Sequence, residues 1–225
     1  MLSVVVPVLN EEAELPAFLE MARPWAGTCE LVFSDGGSTD ATPGILSKAG
    51  ARVVEGPRGR GAQCNRGAAA CSGDAVLFLH ADCRVGADAV EAVARAAAGG
   101  VEWGCLTLRW DAHGLVWRFG ERASNLRVRV TGVPFGDQGV FVSRALLGRV
   151  GGVPDLPLME DYELARRLRA TGAWPRQLPY EVRSSPRRFV DGGPLRVALQ
   201  MRRLRCLYRR GVAPDELARM YRDVR

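Results

Sequence analysis

The sequence has no long apolar run, and it therefore predicts no membrane-spanning helix. Its longest unbroken apolar stretches, SVVVPVL near the start and AVLFL later, fall far short of the roughly 20 residues that cross a bilayer. No basic segment precedes the first apolar residues, so the sequence predicts no secretory signal and a cytoplasmic location. Hydrophobic residues make up 47% of the chain, which is enough for an ordinary globular core.

Several common metal-binding and nucleotide-binding motifs are also missing. The six cysteines include no CxxC pair, and we interpret them as free thiols of a reducing compartment. No standard structural zinc site has the spacing of the candidate ligands His80, Cys83, Cys64, Cys71 and His113. No GxGxxG follows the first predicted strand, which disfavours a dehydrogenase, and GPRGRGAQ at residues 56–63 is not a P-loop.

Positive charge is scarce along most of the chain and concentrated near its end. Residues 183–225 hold 12 Arg and 4 acidic residues, whereas residues 1–182 hold 19 basic and 21 acidic residues. The net charge of +6 therefore arises in the last fifth of the sequence. Because the surface is not uniformly basic, we predict no nucleic-acid binding.

The first hundred residues alternate between strand-like and helix-like patterns. Strands are predicted over 2–9, 30–34, 51–55 and 75–79, with helical patterns over 11–21, from about 40, over 60–71 and over 87–98. Such βαβ units predict a parallel sheet with helices on both faces. Ligands of these sheets bind beyond the carboxyl ends of the strands. We therefore expect residues 7–11, 34–40 and 80–84 to line one crevice.

The second half is less regular. It contains a predicted strand over 104–110, a helix over 115–130, a turn entering a short strand over 135–143, and helices over 159–170 and 195–210. In the last helix, about 100° per residue places Val197, Met201, Leu204 and Tyr208 in one apolar arc. The sequence predicts that the opposite side is formed by Arg196, Arg202, Arg203, Arg205, Arg209 and Arg210.

No repeat or linker marks a domain boundary in the sequence. We therefore predict one domain over residues 1–190 and a basic helical tail over 191–225 that packs on it. A homodimer contact and a peripheral membrane contact are the alternatives for the amphipathic helix of this tail, since anionic lipids attract arginine-rich helices.

Carboxylates recur at predicted strand ends and turns. Asp35 begins a Gly-Gly turn, Asp82 follows the fourth strand, and Glu160 and Asp161 open a helix. Each has a structural explanation by itself, because aspartate is favoured in turns and acidic residues complement a helix N-terminus. Their joint occurrence favours a shared site.

In order along the chain, PVLNEE, SDGGSTD, His-Ala-Asp and the Glu-Asp pair resemble the motifs of family 2 glycosyltransferases. LFLHAD, GDQGVFV, LMEDYELARRL, SSPRRF and RRGVAPDELARMYR are similar to one subgroup. That subgroup is the radical-SAM- and selenodomain-associated transferase-2 family, which includes proteins assigned to arsenosugar biosynthesis.

The resemblance implies an α/β, Rossmann-like GT-A fold, that of the nucleotide-diphospho-sugar transferases, with a mostly parallel central sheet. The nucleotide-binding half would cover about residues 1–100 and the acceptor half about residues 101–190. The implied activity is inverting transfer of a sugar from a nucleotide-diphosphate sugar to an acceptor hydroxyl. A UDP-sugar donor is favoured over a GDP-sugar, and the acceptor is not indicated.

The resemblance also implies roles for individual residues. The nucleotide and its sugar would be bound by Pro7, Leu9, Glu11, Asp35, Gly61, Asn65, His80 and Ala81. Asp82 would hold Mg²⁺ or Mn²⁺ at the diphosphate, and Asp161 would be the general base, with Glu160 beside it holding the acceptor or sharing the proton. Asp137 and Gln138 would contact the acceptor. Arg187 and Arg188 are candidates for the diphosphate or an anionic acceptor, because guanidinium pairs with phosphate oxygens, and a solvated basic loop is the alternative.

His80 departs from the family pattern, which often has aspartate at that position. A neutral imidazole is a poor magnesium ligand but a good hydrogen-bond donor, and Mn²⁺ accepts a nitrogen ligand more readily. A structural histidine at the sheet edge is the alternative. The departure leaves open a non-catalytic nucleotide-binding or scaffold protein on a degenerate transferase fold. A nucleotidyltransferase would need a basic Gly-rich loop directly after the first strand, where this sequence has PVLNEE.

Overall fold

The computed structural model describes residues 1–221, without the side chain of Arg188. The strands are β1 (Leu2–Val8), β2 (Cys29–Asp35), β3 (Arg52–Glu55), β4 (Ala75–Phe78), β5 (Cys83–Val85), β6 (Trp103–Trp110), β7 (Val140–Ser143) and β8 (Arg176–Ser184). The helices are α1 (Leu15–Ala22), α2 (Thr42–Lys48), α3 (Arg60–Ala70), α4 (Ala87–Ala98), α5 (Leu115–Thr131), α6 (Arg144–Arg149), α7 (Glu160–Ala170), α8 (Arg187–Gly192), α9 (Pro194–Arg209) and α10 (Pro214–Met220). Single 3₁₀ turns cover Arg23–Trp25 and Gly136–Gln138.

Within residues 1–221, one sheet contains all eight strands, in the order β3-β2-β1-β4-β7-β6-β8-β5. The neighbours β3, β2, β1 and β4 are parallel. β7 runs antiparallel to both β4 and β6, β6 and β8 are parallel, and β5 is antiparallel to β8. The predicted α/β class and the parallel first half are therefore confirmed.

Helices cover both faces of the central strands, which explains the unbroken apolar run of β1. Val4 and Val6 belong to a core cluster that also contains Phe18 of α1 and Val90 of α4. Val5 points to the other face, into a second cluster with residues of α3 and α7. Successive side chains of a strand point to opposite faces, so a strand buried on both sides has no polar alternation.

The sequence pattern predicts no strand over 176–184, yet β8 lies there. Pro179 interrupts its pattern, and a proline within a run argues against a strand because it lacks a ladder donor. The β6–β8 register shifts at this point, between Cys105 and Thr107, and Thr107 Oγ1 donates a hydrogen bond to Leu178 O at 2.7 Å. An irregularity in the ladder therefore accommodates the proline. β5, α6, α8 and α10 are also absent from the predicted pattern.

The apolar stripe of α9 is covered by the chain's own residues. Leu204 forms a small core cluster with Leu158, Met159 and Leu217, against which Met201 and Tyr208 pack. Tyr208 also donates a hydrogen bond to Glu163 of α7 at 3.0 Å. Across residues 1–221, no helix combines the length and apolar character needed to cross a membrane.

The contact between α3 and β1 generates a stability prediction. A Cβ added at Gly67 would overlap Val5 Cγ1 in the core, so we expect Gly67→Ala to destabilise the fold by about 1–3 kcal/mol through overpacking. Gly44→Ala is the matched control, because a Cβ at that helical position meets no atom within 4 Å. The control should be neutral or stabilising by up to about 1 kcal/mol. Urea unfolding of both variants measures the difference, and equal midpoints would contradict the packing argument.

Candidate active site

The carboxyl ends of β1, β2 and β4 meet at one edge of the sheet. Val8 lies opposite Asp35 in the β1–β2 ladder, and Val5 lies opposite Phe78 in the β1–β4 ladder. The segments that follow these strands therefore lie together, as the rule for parallel sheets predicts.

Hydrogen bonds join the loop after β1 to the turn after β2. Asn10 Oδ1 accepts from Thr39 N at 2.8 Å, and Asn10 N donates to Ser38 Oγ at 2.9 Å. Asn10 has a φ of 55°, a left-handed conformation that asparagine tolerates better than most residues. The buried carboxylate of Asp35 accepts from Ser38 Oγ at 2.6 Å and from Ser38 N. These contacts hold the loop after β1 and the turn after β2 against each other.

The His-Ala-Asp segment joins β4 to β5 and offers ligands for a cation. One candidate ligand atom from each of His80, Asp82 and Cys83 lies within 4.8 Å of the other two. Burial holds the pKa of the Cys83 thiol well above its usual value, so this sulfur stays protonated and is no ligand for a hard cation. The imidazole of His80 and the carboxylate of Asp82 therefore fit a divalent cation such as Mn²⁺.

Gly136 connects this segment to the start of α7. Its N–H donates to Asp161 Oδ2 at 3.0 Å. A Cβ at Gly136 would lie 2.9 Å from His80 Nε2, so a larger residue at this position would displace the imidazole. Asp161 and His80 consequently line the same pocket, together with Pro7, Arg60, Phe78 and Pro134.

The two carboxylates at the start of α7 have different environments. Glu160 is 3% exposed and forms an ion pair with Arg60. Burial raises the pKa of Glu160, although Arg60 opposes the change. Arg60 engages this carboxylate, and the role of Glu160 in holding the acceptor or sharing the proton stays a prediction. Arg60 is a site residue that the sequence analysis missed, since nothing distinguishes it from the other arginine in GPRGRGAQ.

Asp137 follows Gly136, whose N–H contacts Asp161. Oδ1 of Asp137 is buried and, within the described residues, has no hydrogen-bond partner. Burial raises the pKa of Asp137 to about 6, with Arg127 opposing the shift and the charges of Asp161 and Asp82 adding to it. The charges of Asp82 and Asp161 therefore both act on Asp137, and a single site shared by Asp82 and Asp161 stays a prediction.

Three of the predicted contact residues have structural partners. Gln138 is fully buried, and its Oε1 accepts from Arg127 at 2.8 Å and from Phe135 N at 3.2 Å. Its predicted contact with an acceptor is therefore corrected to a role inside the protein. The amide of Asn65 exchanges two hydrogen bonds with the backbone of Val153, at 2.7 and 2.8 Å. A Cβ at Gly61 would overlap Pro154 O, so α3 begins in close contact with that segment.

Arg187 lies at the start of α8 and pairs with Glu14. Glu14 also accepts from Arg84 at 2.6 Å, so α1, β5 and α8 are joined through one carboxylate. The side chain of Arg188 lies outside the described residues. Leu9 and Glu11 are half-buried, and Ala81 is buried with its carbonyl accepting from Arg84 at 2.9 Å.

Two cations that the sequence analysis did not assign to the site lie beside Phe135. The guanidinium carbons of Arg127 and Arg205 are 3.7 and 5.0 Å from its ring centroid. Burial lowers the pKa of Arg205, and the negative charge of Asp161 opposes this change. The prediction that Arg205 faces away from the apolar stripe is therefore wrong. At about 100° per residue it lies about 80° from Val197, which is the edge of the stripe.

Comparison with solved structures shows the fold. A mannosyltransferase from Pyrobaculum calidifontis, in complex with GDP-Man and Mn²⁺, has a TM-score of 0.68 and 21% identity over 95% of this chain and 66% of that chain. Glucosyl-3-phosphoglycerate synthase from Mycobacterium tuberculosis, in complex with Mn²⁺, UDP and glucosyl-3-phosphoglycerate, has a TM-score of 0.60 and 25% identity over 80% of this chain and 70% of that chain. The predicted GT-A fold is therefore confirmed.

Two curated relatives match a shorter region. The PGL/p-HBAD biosynthesis glycosyltransferase of Mycobacterium bovis (strain BCG / Pasteur 1173P2) is 40% identical over 90 residues, which cover 36% of this chain and 35% of that protein. Glucosyl-3-phosphoglycerate synthase of Mycobacterium tuberculosis (strain ATCC 25618 / H37Rv) is 37% identical over 92 residues, which cover 36% of this chain and 28% of that protein. The matched part thus spans about a third of the length of these relatives.

A family model covers a larger part of the sequence. The model described as Glycosyl transferase family 2 matches residues 3–129, which is more than half of the chain. These residues include both loops at the edge of the sheet and the His-Ala-Asp segment. The chain therefore belongs to glycosyl transferase family 2.

Proposed function

We propose that this chain is a divalent-metal-dependent glycosyltransferase that moves a sugar from a nucleotide-diphosphate sugar to an acceptor hydroxyl with inversion. The observation that carries the proposal is that His80 and Asp161 line one pocket at the carboxyl edge of the sheet. A ligand atom of Asp82 lies within 4.8 Å of one of His80, and Asp137 follows Gly136, whose N–H donates to Asp161. The similar mannosyltransferase and synthase, which bind GDP-Man or UDP together with Mn²⁺, support it.

The nucleotide would bind across the loops that follow β1 and β2. Pro7, Leu9 and Glu11 would contact the base and ribose from one side, and Asp35 would contact the base from the other. UDP-sugars remain our favoured donors over GDP-sugars, although the similar proteins include examples of both. Assignment to the arsenosugar subgroup stays a prediction that rests on the sequence motifs alone.

His80 and Asp82 would hold the metal ion at the diphosphate. A bound divalent cation would stabilise the negative charge that grows on the leaving diphosphate. Asp82 supplies the hard oxygen ligand that Mg²⁺ and Mn²⁺ both accept. The nitrogen of His80 favours Mn²⁺ of the two.

Asp161 would act as the general base. In a single displacement the acceptor oxygen bonds to the anomeric carbon as the bond to the diphosphate oxygen breaks, and the hydroxyl proton passes to the base. Backbone N–H groups of Gly136 and Tyr162 donate to Oδ2 and Oδ1 of Asp161, at 3.0 and 2.7 Å. These two contacts fix the orientation of the carboxylate towards the pocket.

The proposed roles of the other residues are less direct. Asp137 would bind acceptor hydroxyls through its unpartnered Oδ1, and Arg187 would reach the diphosphate only by leaving Glu14. The predicted homodimer and membrane contacts of α9 stay predictions. Because the apolar stripe of α9 packs against residues of the same chain, a second copy or a membrane would have to contact the other side chains of α9.

The metal assignment predicts that Asp82→Ala abolishes Mn²⁺-dependent binding of nucleoside diphosphate, because the variant lacks the one carboxylate ligand from the protein. Isothermal titration of UDP and GDP with and without Mn²⁺ measures this effect. Glu91→Gln, an exposed change on α4, is the control and should bind like the wild type. Undiminished Mn²⁺-dependent binding by Asp82→Ala would remove Asp82 from the metal site. Failure of the wild-type chain to bind either nucleotide would favour the scaffold alternative.

The general-base assignment predicts that Asp161→Asn binds donor normally but loses turnover by at least about a hundredfold, because an amide takes up no proton at neutral pH. A screen of nucleotide-sugar donors for hydrolysis or transfer provides the assay. Glu160→Gln distinguishes the role of Glu160 from that of its neighbour Asp161. It should lower the free energy of unfolding by leaving the half-buried Arg60 without its ion-pair partner. Wild-type turnover by Asp161→Asn would show that another group takes the proton.

The raised pKa of Asp137 predicts a pH dependence of stability in the metal-free protein. Its carboxyl binds a proton more tightly in the folded state, so this contribution is complete below about pH 4 and is lost as the pH rises through about 6. Between these limits we expect the wild type to lose about 1–3 kcal/mol more than Asp137→Asn, which stays neutral. Denaturant unfolding from pH 4 to 7 measures this difference. Asp88→Asn, at the exposed start of α4, should follow the wild-type profile, and parallel profiles for all three proteins would contradict the prediction.

A further inference from the structure

Exposed apolar side chains are concentrated on three helices of the acceptor half and the tail. Eleven large apolar side chains are exposed within residues 1–221. Eight of them lie on α5, α8 and α9: Leu115, Val116, Phe119, Leu126, Val130, Val190, Leu195 and Leu199. Leu115 is 84% exposed and Phe119 is 76% exposed. Because single exposed apolar residues are ordinary but grouped ones mark interaction sites, this concentration indicates a docking surface.

The exposed residues of α5 form an ordered stripe. At about 100° per residue, an arc of about 60° contains the four side chains Leu115, Phe119, Leu126 and Val130. The adjacent arc contains the exposed arginines Arg118, Arg122 and Arg129. Glu121, the one acidic residue of α5, is 6% exposed and faces inwards, where it accepts from Arg109 and from Trp110 N. The exposed side of α5 therefore carries apolar and positively charged groups alone.

An aromatic cluster joins α5 to the tail. Phe189 of α8 lies 6.3 Å from Trp117 of α5 and 4.9 Å from Trp110, between ring centroids. Val190 follows Phe189 in the chain, and α8 leads directly into α9, where Leu195 and Leu199 are exposed. α9 contains five arginines and no acidic residue. We call the exposed residues of α5, α8 and α9 the basic apolar surface; Phe189 packs α8 against α5, and α8 leads into α9.

We propose that the basic apolar surface docks on an anionic lipid membrane. Interfacial helices place an apolar stripe among the acyl chains, and arginines beside the stripe bind anionic headgroups. A second copy of this chain fits less well, since a symmetric contact would bring arginines of one copy against arginines of the other. Docking in the membrane plane also agrees with the absence, in residues 1–221, of a helix that could cross a bilayer.

The surface lies next to the acceptor side of the candidate active site. α5 ends at Thr131, shortly before Phe135 and Gly136, and Gly136 contacts Asp161. α9 supplies Arg205, which lies beside Phe135. A docked membrane would therefore present an acceptor at its surface to Asp161. This consequence rests on the proposed function, whereas the docking surface itself does not.

Co-sedimentation of the full chain with lipid vesicles tests the surface. The wild type should bind phosphatidylcholine vesicles that contain phosphatidylglycerol, and it should bind pure phosphatidylcholine vesicles much less. Binding should weaken in high salt, because screening shortens the range of the attraction. Arg118→Gln/Arg122→Gln should lower the partition coefficient by about tenfold or more. The charge-matched control Arg23→Gln/Arg95→Gln, which removes two exposed arginines elsewhere, should cause a much smaller loss.

A second pair of variants tests the apolar contribution. Leu115→Ser/Phe119→Ser should weaken vesicle binding by about tenfold or more, and Trp174→Ser, which removes an apolar side chain of 53% exposure elsewhere, should not. Thermal unfolding checks that each variant folds. The proposal is overturned if the wild type does not bind anionic vesicles, or if both double variants bind like their controls. It is also overturned if Leu115→Ser/Phe119→Ser converts a dimer into a monomer without changing vesicle binding, since the surface would then contact a second copy.

Nucleotide titration separates this proposal from the proposed function. UDP and GDP binding in the absence of vesicles should be the same in both double variants and in the wild type. Retained nucleotide binding without vesicle binding would overturn the docking surface alone. Vesicle binding by a wild type that binds neither nucleotide would overturn the proposed function alone.

Discussion

Mutual repulsion among carboxylates is the constraint on which the site depends. The charges of Asp82 and Asp161 act on Asp137 at the edge of the sheet, and burial makes the charge of Asp137 more costly than it would be in water. Within the described residues, Oδ1 of Asp137 has no donor. Such an arrangement has a high affinity for a cation, which is what a site that handles a diphosphate leaving group requires.

The surrounding structure maintains this arrangement with buried arginines and a close backbone contact. Arg60 forms an ion pair with Glu160, and both Glu160 and Asp161 line the pocket. Arg127 supports the loop that carries Asp137 through its bonds to Gln138 and to Val133 O. Met159, with a φ of 70°, precedes the acidic pair in a left-handed conformation that costs a non-glycine residue roughly 1–2 kcal/mol. Backbone strain at this position is consistent with a site whose geometry takes precedence over local stability.

Acidic and basic groups are concentrated in different parts of the molecule. The carboxyl edge of the sheet concentrates acidic groups, whereas the exposed sides of α5 and α9 carry arginines beside leucine, valine and phenylalanine. Arg205 connects the two regions, because it belongs to α9 and lies beside Phe135. A metal-bound diphosphate and an anionic surface would therefore be attracted to separate parts of one molecule, which keeps the two ligands from competing.

The sequence by itself determined the first half of the fold and the general position of the site. Val-rich β1 and the alanine-rich helices α3 and α4 have periodicities that predict their structure, and parallel strands place PVLNEE, SDGGSTD and His-Ala-Asp at one edge because their carboxyl ends coincide. Only the tertiary structure decided that Glu160 forms an ion pair with Arg60, which lies a hundred residues away in the chain. It likewise decided that Gln138 points inwards, that β8 accommodates Pro179, and that Arg205 lies beside Phe135. These features depend on contacts between distant segments. Local residue patterns do not show which distant residue a side chain contacts.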